Sequence, residues 1–220
     1  MSVPQATPVA CSWSGGKDSC FALYTRLKEN AAIKVLVNMM NEEGKISRSH
    51  GLPHFILQQQ AEAMGVPLIT AATSWSAYEE TFIRTLKSIK EDFEIGEMVF
   101  GDIDLREHRD WEEMVCEKAG INANLPLWKQ DRKSLVEQMI REDFHSIIVS
   151  CNTVLGEEFL GKSLTAELLP ELENSGVDVC GENGEFHTVV VNCPMFNQPI
   201  LLPAYTKVKH ESYWFLQWET

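Results

Sequence analysis

Short apolar runs alternate with amphipathic segments along the first half of this chain. The apolar runs have the length of buried strands and occupy residues 8–13, 33–40, 68–72 and 98–101. Between them, apolar side chains recur at helical spacing over residues 19–29, 54–64 and 78–90. Strands that alternate with helices form a parallel sheet, because each crossover helix packs against one face. We therefore expect an α/β fold with a Rossmann-like parallel sheet and helices on both faces.

The second half of the chain is less regular. Helices are predicted over residues 111–118, 134–141 and 164–174, with Pro170 a weak point of the last, and strands over residues 146–151, 186–192 and 205–210. This change in pattern places a soft boundary near residue 104. We expect a parallel-sheet domain at residues 1–104 and a smaller, mixed α/β lobe at residues 105–220, and we expect the two to share one cleft.

Charge and cysteine usage restrict the classes of function. The formal net charge of −13 argues against strong binding to nucleic acid, whose backbone needs clustered Lys and Arg. The six cysteines show no C-x-x-C spacing, so neither a zinc ribbon nor a thioredoxin-like motif is expected. Several lie in apolar runs, which indicates reduced, buried thiols in a cytoplasmic protein. No run is long enough to span a membrane, and the first residues do not resemble a secretory leader.

A glycine-containing segment between the first predicted strand and the first predicted helix carries the strongest functional signal. Residues 12–19 have the sequence SWSGGKDS. Gly15 and Gly16 allow a tight turn and a close approach of the backbone to an anion, which the following helix N-terminus also favours. Ser14 and Ser19 can add hydroxyl donors. The segment is therefore predicted to bind phosphate groups, and a polar turn with a serine cap is the alternative.

The charged pair in this segment suits a nucleotide. Lys17 can neutralise phosphate charge, and Asp18 can hold Mg²⁺ or orient the loop. The spacing differs from the Walker A pattern G-x-x-x-x-G-K-[ST] and from the dinucleotide pattern G-x-G-x-x-G. A nucleotide could still be held by backbone amides, one lysine and magnesium, despite the acidic composition.

A second motif lies far downstream, where residues 180–188 have the sequence CGENGEFHT. Its two glycines shape a turn, and Glu182 and Glu185 stand three residues apart before a predicted strand. Two carboxylates at this distance repel each other unless a cation or donor lies between them. They could hold magnesium or a cationic group, or assist proton transfer. An acidic surface hairpin is the alternative.

Together these motifs resemble a known family. The pattern S-G-G-x-D-S resembles the PP-loop of the ATP pyrophosphatase superfamily, whose members carry it on a HUP-type domain. With the pattern GE-x-GE-[FY]-x-T at residues 181–188, the chain resembles the diphthine–ammonia ligase family, and its shorter members in particular. Further matching stretches are GDI at 101–103, the helix from RDWE at 109–112 to Cys116, PLW at 126–128 and LGKSL at 160–164. The resemblance covers roughly residues 8–200.

The resemblance implies a reaction and a set of site residues. ATP is cleaved to AMP and pyrophosphate, a carboxylate becomes an acyl-adenylate, and ammonia converts it to an amide. The acceptor carboxylate is protein-bound diphthine on elongation factor 2, or a small carboxylate. The predicted ATP-binding residues are Ser14, Gly15, Gly16, Lys17, Asp18, Ser19, Gly101 and Asp102. The predicted substrate-binding residues are His50, Glu182, Glu185, His187 and Thr188. The predicted catalytic residues are Lys17, Asp18, Glu182 and Glu185, with Asp18 also the predicted Mg²⁺ ligand.

Several assignments stay open at this stage. His50 also suits a loop or helix start, Asp102 suits a strand-end turn, and Arg106, His108 and Arg109 suit either an anionic ligand or ion pairs along a helix. The tryptophans at 13, 75, 111 and 128 are predicted to pack rather than to stack on a ligand. A homodimer is one option for the assembly.

The competing functions are a tRNA thiolation enzyme of the same superfamily and a non-catalytic nucleotide-binding module. Thiolation would need a basic tRNA surface, which the charge argues against. Position 2 is Ser rather than Cys, so no N-terminal-nucleophile glutaminase is expected. Ammonia, free or from a separate partner, is the expected nitrogen donor.

Overall fold

The computed structural model describes residues 6–219. The expectations about position 2 and about a leader fall on residues 1–5, which lie outside the described residues, as does Thr220. Five parallel strands form the first sheet, in the order β3-β2-β1-β4-β5. These strands are β1 (Thr7–Ser12), β2 (Ala31–Met40), β3 (Leu68–Ala72), β4 (Glu97–Val99) and β5 (Asn122–Asn124).

Helices connect these strands and cover both faces of the sheet. They are α1 (Lys17–Lys28), α2 (His54–Met64), α3 (Tyr78–Phe93) and α4 (Arg106–Ala119). Because side chains alternate along a strand, Val9 and Cys11 of β1 lie in one buried cluster and Ala10 lies in another. The cluster around Ala10 contains side chains from α3 and α4, such as Phe82, and the other contains side chains from α1 and α2. The predicted α/β fold with a Rossmann-like sheet is confirmed.

The second lobe is built on a four-stranded antiparallel sheet with the order β7-β6-β9-β8. Its elements are α5 (Arg132–Arg141), β6 (His145–Asn152), a 3-10 turn (Glu157–Phe159), α6 (Leu169–Asn174), β7 (Phe186–Asn192), β8 (Tyr205–His210) and β9 (Tyr213–Trp218). One apolar cluster runs from α1 and α2 into β6 and β7, so the two lobes share a core.

A buried polar contact ties the lobes together beside the glycine segment. The amide of Val190 on β7 donates to the carbonyl of Gly15, at 2.9 Å. The side-chain amide of Gln60 on α2 donates to both the Gly15 and Val190 carbonyls, at 2.9 and 2.8 Å. Since a buried carbonyl without a partner is costly, these bonds fix the loop between β1 and α1 against the second lobe.

The structure differs from the predicted elements most clearly at β5, α4, α6 and β9. The parallel sheet continues past the boundary predicted at residue 104, because β5 pairs with β4 beyond α4. Helix α4 begins five residues before the predicted start, and α6 begins only at Leu169 because Pro170 suits the first turn of a helix rather than its interior. The strands β5 and β9 were not predicted. Among residues 6–219, no helix has both the length and the apolar character needed to cross a membrane.

Candidate active site

The main cavity, about 770 Å³ in volume, opens where β1 and β4 end. The carboxyl ends of parallel strands are where ligands bind in open α/β sheets. Both lobes line it. The predicted site residues among its lining are Ser14, Lys17, Asp18, Ser19, His50, Gly101, Asp102, Glu182, His187 and Thr188. The two sequence motifs, far apart along the chain, therefore meet at one cavity.

The phosphate loop, residues 12–19, needs its glycines for space. Gly15 has φ of 81°, and a Cβ there would lie 2.7 Å from Leu57 Cδ2. A Cβ on Gly16 would overlap the imidazole of His50 and lie 3.0 Å from the Thr188 carbonyl oxygen. Gly101 also has no room for a side chain, because a Cβ there would lie 2.6 Å from the amide nitrogen of Ser19. A side chain at Gly101 would meet backbone atoms, and one at Gly15 would also need a positive φ, so glycine at these positions lets the first turn of α1 lie close to the residues that follow β4.

The polar groups of the loop are concentrated at the start of α1. Ser14 Oγ and Ser19 Oγ are 3.0 Å apart, and Lys17 Nζ lies 2.7 Å from Asp18 Oδ2. Lys17 is only 3% exposed. Burial acts to lower its pKa, but Asp18 and the other acidic groups nearby outweigh burial and raise the pKa above its usual value. The ammonium group thus stays charged beside a helix N-terminus, an arrangement that attracts anions.

The acidic turn, residues 178–185, brings one carboxylate to this loop. Ligand atoms of Asp18, Cys180 and Glu182 lie within 4.8 Å of one another. Burial, followed by the charge of Asp18, raises the pKa of Glu182 to about 7. Burial likewise raises the pKa of the Cys180 thiol well above its usual value. A cation between the two carboxylates would relieve their repulsion, so oxygen atoms of Asp18 and Glu182 suit a hard cation such as Mg²⁺.

Glu185 lies in a different environment from Glu182. It is 8% exposed and is not among the residues that line the main cavity. Its Oε1 accepts hydrogen bonds from the Asp178 amide and from Asn183 Nδ2, both at 3.1 Å, and its Oε2 accepts from the Asn183 amide at 3.0 Å. Amide donors rather than a bound cation compensate this charge. Glu185 therefore holds the shape of the acidic turn.

Thr188 and the histidines connect β7 to the phosphate loop. Thr188 Oγ1 accepts a hydrogen bond from the Lys17 amide at 3.1 Å, and the Thr188 carbonyl lies 3.1 Å from His50 Nδ1. The His50 and His187 rings stack with their centroids 4.5 Å apart. Burial lowers the pKa of His187 to about 4 and that of His50 well below its usual value. Both imidazoles are therefore neutral at pH 7.

A buried glutamate that the sequence reasoning missed lies beside Asp102. Glu112 on α4 lines the cavity, is buried, and leaves Oε2 without a hydrogen-bond partner among the described residues. Burial and the nearby Asp102 carboxylate raise its pKa to about 11. Asp102 Oδ1 lies 2.8 Å from His108 Nδ1. Burial acts to raise the pKa of Asp102, but this hydrogen bond outweighs burial and lowers the pKa below its usual value. On an amphipathic helix, Glu112 gave no signal that distinguished it from its ion-paired neighbours.

An aromatic wall forms another side of the cavity. It consists of Trp75, Tyr78, Phe82, Phe100 and Trp111. Trp75 is 72% exposed and Trp111 is partly exposed, and both rings also pack against Tyr78, so packing rather than stacking on a ligand stays a prediction at these two positions. Trp13, which is buried and donates to Gln60, packs as predicted. The aromatic spacing of the sequence gave no sign that these rings face a cleft.

The basic cluster on α4 is mostly ion-paired along its own helix. Arg106 lies 3.6 Å from Asp110, and Arg109 lies 3.0 Å from Glu113. His108 reaches the cavity and pairs with Asp102. All six cysteines are free and buried, as predicted.

These features define a class of protein: an α/β protein with a Rossmann-like core, in which a glycine-containing anion loop at the end of the first strand faces a large cleft. Two family models match nearly the whole chain. The diphthamide synthase N-terminal domain matches residues 7–123, and the diphthamide synthase C-terminal domain matches residues 131–220. The chain belongs to the diphthamide synthase family.

Curated relatives carry the name diphthine–ammonia ligase. The Danio rerio protein is 30% identical over 90% of this chain and 87% of its own length, and the Mus musculus protein is 29% identical over 93% and 86%. The Schizosaccharomyces pombe protein is 27% identical over 90% of this chain, a match that covers 36% of that longer protein.

Proposed function

We propose that this chain is an ATP-dependent ligase that forms an amide from a carboxylate and ammonia, with release of AMP and pyrophosphate. The observation that carries the proposal is the meeting of the phosphate loop and Glu182 at one cavity, in a member of the diphthamide synthase family. The name shared by the relatives supports diphthine as the acceptor carboxylate. The acidic lining of the cavity also weighs against a tRNA substrate.

The reaction proceeds in two steps. An oxygen of the acceptor carboxylate attacks the α-phosphorus of ATP, the bond from the α-phosphorus to the oxygen that bridges to the β-phosphorus breaks, and pyrophosphate leaves. The nitrogen of ammonia then attacks the acyl carbon, the carbon–oxygen bond to AMP breaks, and the nitrogen loses one proton to solvent. Both steps need the reactants held close together, which the shared cavity between the lobes favours.

The residues of the phosphate loop bind and neutralise the departing charge. Lys17 is charged and buried at the start of α1, where the first-turn amides have no carbonyl of their own helix to bond. The Lys17 ammonium and the first-turn amides other than that of Lys17, which already donates to Thr188 Oγ1, stabilise negative charge that grows on the leaving pyrophosphate. The glycines and Thr188 fix the loop beforehand, so little reorganisation is needed.

Magnesium fits the pair of carboxylates across the cleft. Asp18 and Glu182 would hold it, and the ion would supply charge neutralisation for the phosphate groups of ATP. Cys180, whose thiol stays protonated, is a poor ligand for this hard cation. In this arrangement His50, His187 and Asp102 line the space left for the substrates.

The free cysteines suit a reducing cytoplasm, and a homodimer would be visible by light scattering.

A pyrophosphate-release assay tests the proposal. The purified chain is incubated with ATP, Mg²⁺ and ammonium chloride, and with either diphthine-bearing elongation factor 2 or a panel of small carboxylates. Release that requires the modified elongation factor, together with AMP and amide formation, supports the ligase and its acceptor. Release only with a small carboxylate retains the ligase but replaces the acceptor. Binding of ATP without release under any condition contradicts the proposal.

A further inference from the structure

A second cavity of about 370 Å³ adjoins the main one. Four residues line both cavities and so form the partition between them: Ser49, His50, Trp75 and His187. The residues that line only the second cavity come from the segment after β2 and from β6 and β9: Asn41, Ile46, Ser47, Arg48, Gly51, Ser150, Tyr213 and Phe215. The stacked imidazoles of His50 and His187 thus separate two spaces that both open to the outside.

The imidazoles present acceptor nitrogens rather than charges at this partition. A backbone carbonyl can only accept, so the contact between His50 Nδ1 and the Thr188 carbonyl puts the ring hydrogen on Nδ1. Because the ring is neutral, Nε2 of His50 keeps its lone pair. The neutral ring of His187 likewise keeps one unprotonated nitrogen. The partition can therefore accept hydrogen bonds from a small N–H donor.

A buried hydroxyl belongs to the lining of the second cavity. Ser150 is 0% exposed, lines the cavity, and its Oγ has no hydrogen-bond partner among the described residues. The β6–β7 pairing is irregular between Ile148 and Ser150, and the register opposes Ser150 to His187. Irregularities of this kind redirect side chains and are frequent beside active sites. Since an unsatisfied buried hydroxyl is costly, Ser150 points to a small polar molecule in this cavity.

The two cavities differ sharply in charge. The main cavity is lined by five acidic side chains, and the second by none. The five are Asp18, Asp102, Glu107, Glu112 and Glu182, of which Glu112 stays protonated at neutral pH because burial raises its pKa to about 11. Arg48, which lies 3.7 Å from Glu42, is the charged side chain of the second cavity. Lys17 lines the main cavity, and after burial its charge is a further cause that lowers the pKa values of both histidines. An acidic cleft favours the ammonium ion, which has no lone pair, whereas the second cavity disfavours cations and accepts a neutral amine.

We propose that the second cavity is the entry site for neutral ammonia, which reaches the main cavity across the His50–His187 partition while ATP and the acceptor occupy the acidic side. This inference rests on the proposed amide-forming function, because only that reaction consumes ammonia. It separates the route of the nucleophile from the route of the charged substrates. It also gives the unpartnered Ser150 hydroxyl and the neutral imidazoles a common ligand.

The test is a titration that requires no turnover. Protein labelled with ¹⁵N in its histidine rings is titrated with ammonium chloride, with sodium chloride as the ionic control, in the native chain and in Ile46→Trp. Ile46 is 41% exposed and lines only the second cavity, so an indole there fills its mouth. Leu201→Trp is the matched control, because Leu201 is 80% exposed and lines neither cavity.

We expect the His50 and His187 ring signals to shift with ammonium chloride and not with sodium chloride. The ammonium chloride concentration at half of the maximal shift should rise at least fivefold in Ile46→Trp and stay unchanged in Leu201→Trp. In the turnover assay, Ile46→Trp should raise KM for ammonia at least fivefold relative to KM for ATP. If Ile46→Trp does not fold, Ser150→Ala, which removes the hydroxyl and adds no atom, should weaken the ammonium response instead.

Two results overturn the inference. The first is ring signals that ammonium chloride leaves unmoved, which would mean that Ser150 is satisfied by water only. The second is a KM for ammonia that stays the same in both Ile46→Trp and Ser150→Ala. Failure of the proposed function can be told apart from failure of this inference. A chain that releases no pyrophosphate with any acceptor lacks the proposed function, but the ammonium titration still shows whether ammonia binds between His50 and His187.

Discussion

The phosphate loop and the acidic turn are both glycine-containing turns beside the main cavity, yet different forces hold them. The phosphate loop is fixed from outside: Gly15 and Gly16 fit against Leu57 and His50, and bonds from Gln60 and to Thr188 fix its backbone. The acidic turn is fixed mainly from inside by Glu185, whose carboxylate accepts hydrogen bonds from the Asp178 and Asn183 amides, while Arg132 and Tyr213 add bonds from outside. A loop that is held by its surroundings keeps its charged side chains free to bind a ligand. In the acidic turn the Glu185 carboxylate is used to hold the turn, so only Glu182 is left to bind a ligand.

The largest effect is expected at the charged side chain of the phosphate loop. Lys17→Ala should lower pyrophosphate release at least about 100-fold, because removal of one preorganised donor from a developing charge costs that much or more. Lys28→Ala is the matched control, since Lys28 is on the same helix but is exposed and paired with Glu142. Release would be measured at saturating ATP. Equal rates in the two variants would remove Lys17 from the mechanism.

The two glutamates of the acidic turn should separate activity from stability. Glu182→Gln should lose most of its turnover with an almost unchanged Tm, because Glu182 faces the cavity and Asp18. Glu185→Gln should lower the free energy of unfolding by about 1–3 kcal/mol, because its new NH₂ group meets an amide donor in place of an acceptor.

Each glutamate variant is the control for the other, since both make the same chemical change. Pyrophosphate release and a urea unfolding curve would be measured on both. If Glu185→Gln keeps full stability, or if Glu182→Gln is the variant that unfolds more easily, Glu185 does not hold the acidic turn.

The sequence predicted most of the first lobe, because periodicity and turn residues act locally there. The bounds of α2 and β3 match the prediction residue by residue, and the first glycine motif lies at the strand end where it was expected. Strand β5 could not be predicted from NAN at residues 122–124, whose composition is poor for strands. That strand exists because β4 offers it an edge, which is a tertiary effect.

The candidate site was predicted only in part, for a related reason. A motif indicates that Glu182 and Glu185 share a turn, but which carboxylate turns inward depends on the backbone path from Gly181, whose φ is 74°, to Gly184, whose φ is 83°. Glu112 lies on a helix where acidic residues usually face solvent, and only the packing of α4 beside Asp102 buries it. Burial of a single polar side chain is set by the whole fold, so spacing alone cannot reveal it.

Glu112 is a buried carboxyl that lacks the amide donors that surround Glu185. Its pKa is about 11 when folded and near 4.5 when unfolded, so the unfolded chain releases this proton first as the pH rises. Stability is therefore lost with rising pH from about 4.5 upward. Glu112→Gln removes this loss and should stabilise the chain by on the order of 2 kcal/mol at pH 8, and by much less at pH 5.

Unfolding curves at the two pH values check the Glu112 prediction. Glu113→Gln is the neighbouring control, since Glu113 is an exposed residue paired with Arg109. A gain that is equal at both pH values would mean that better packing, and not the ionisation of Glu112, is responsible.

The smallest effect is expected where the acidic turn meets the first lobe. Arg132, the first residue of α5, lies 2.5 Å from Asp178 of the turn and 2.7 Å from Asp104, which follows β4. Because these pairs are partly exposed and screened by solvent, Arg132→Ala should cost only about 1 kcal/mol of stability. Arg141→Ala, at the other end of the same helix and well exposed, should cost less than about 0.5 kcal/mol. If Glu185 alone shapes the turn, turnover of Arg132→Ala at saturating substrates should fall less than about threefold. A larger loss of turnover without a larger loss of stability would mean that the turn, like the phosphate loop, is held from outside.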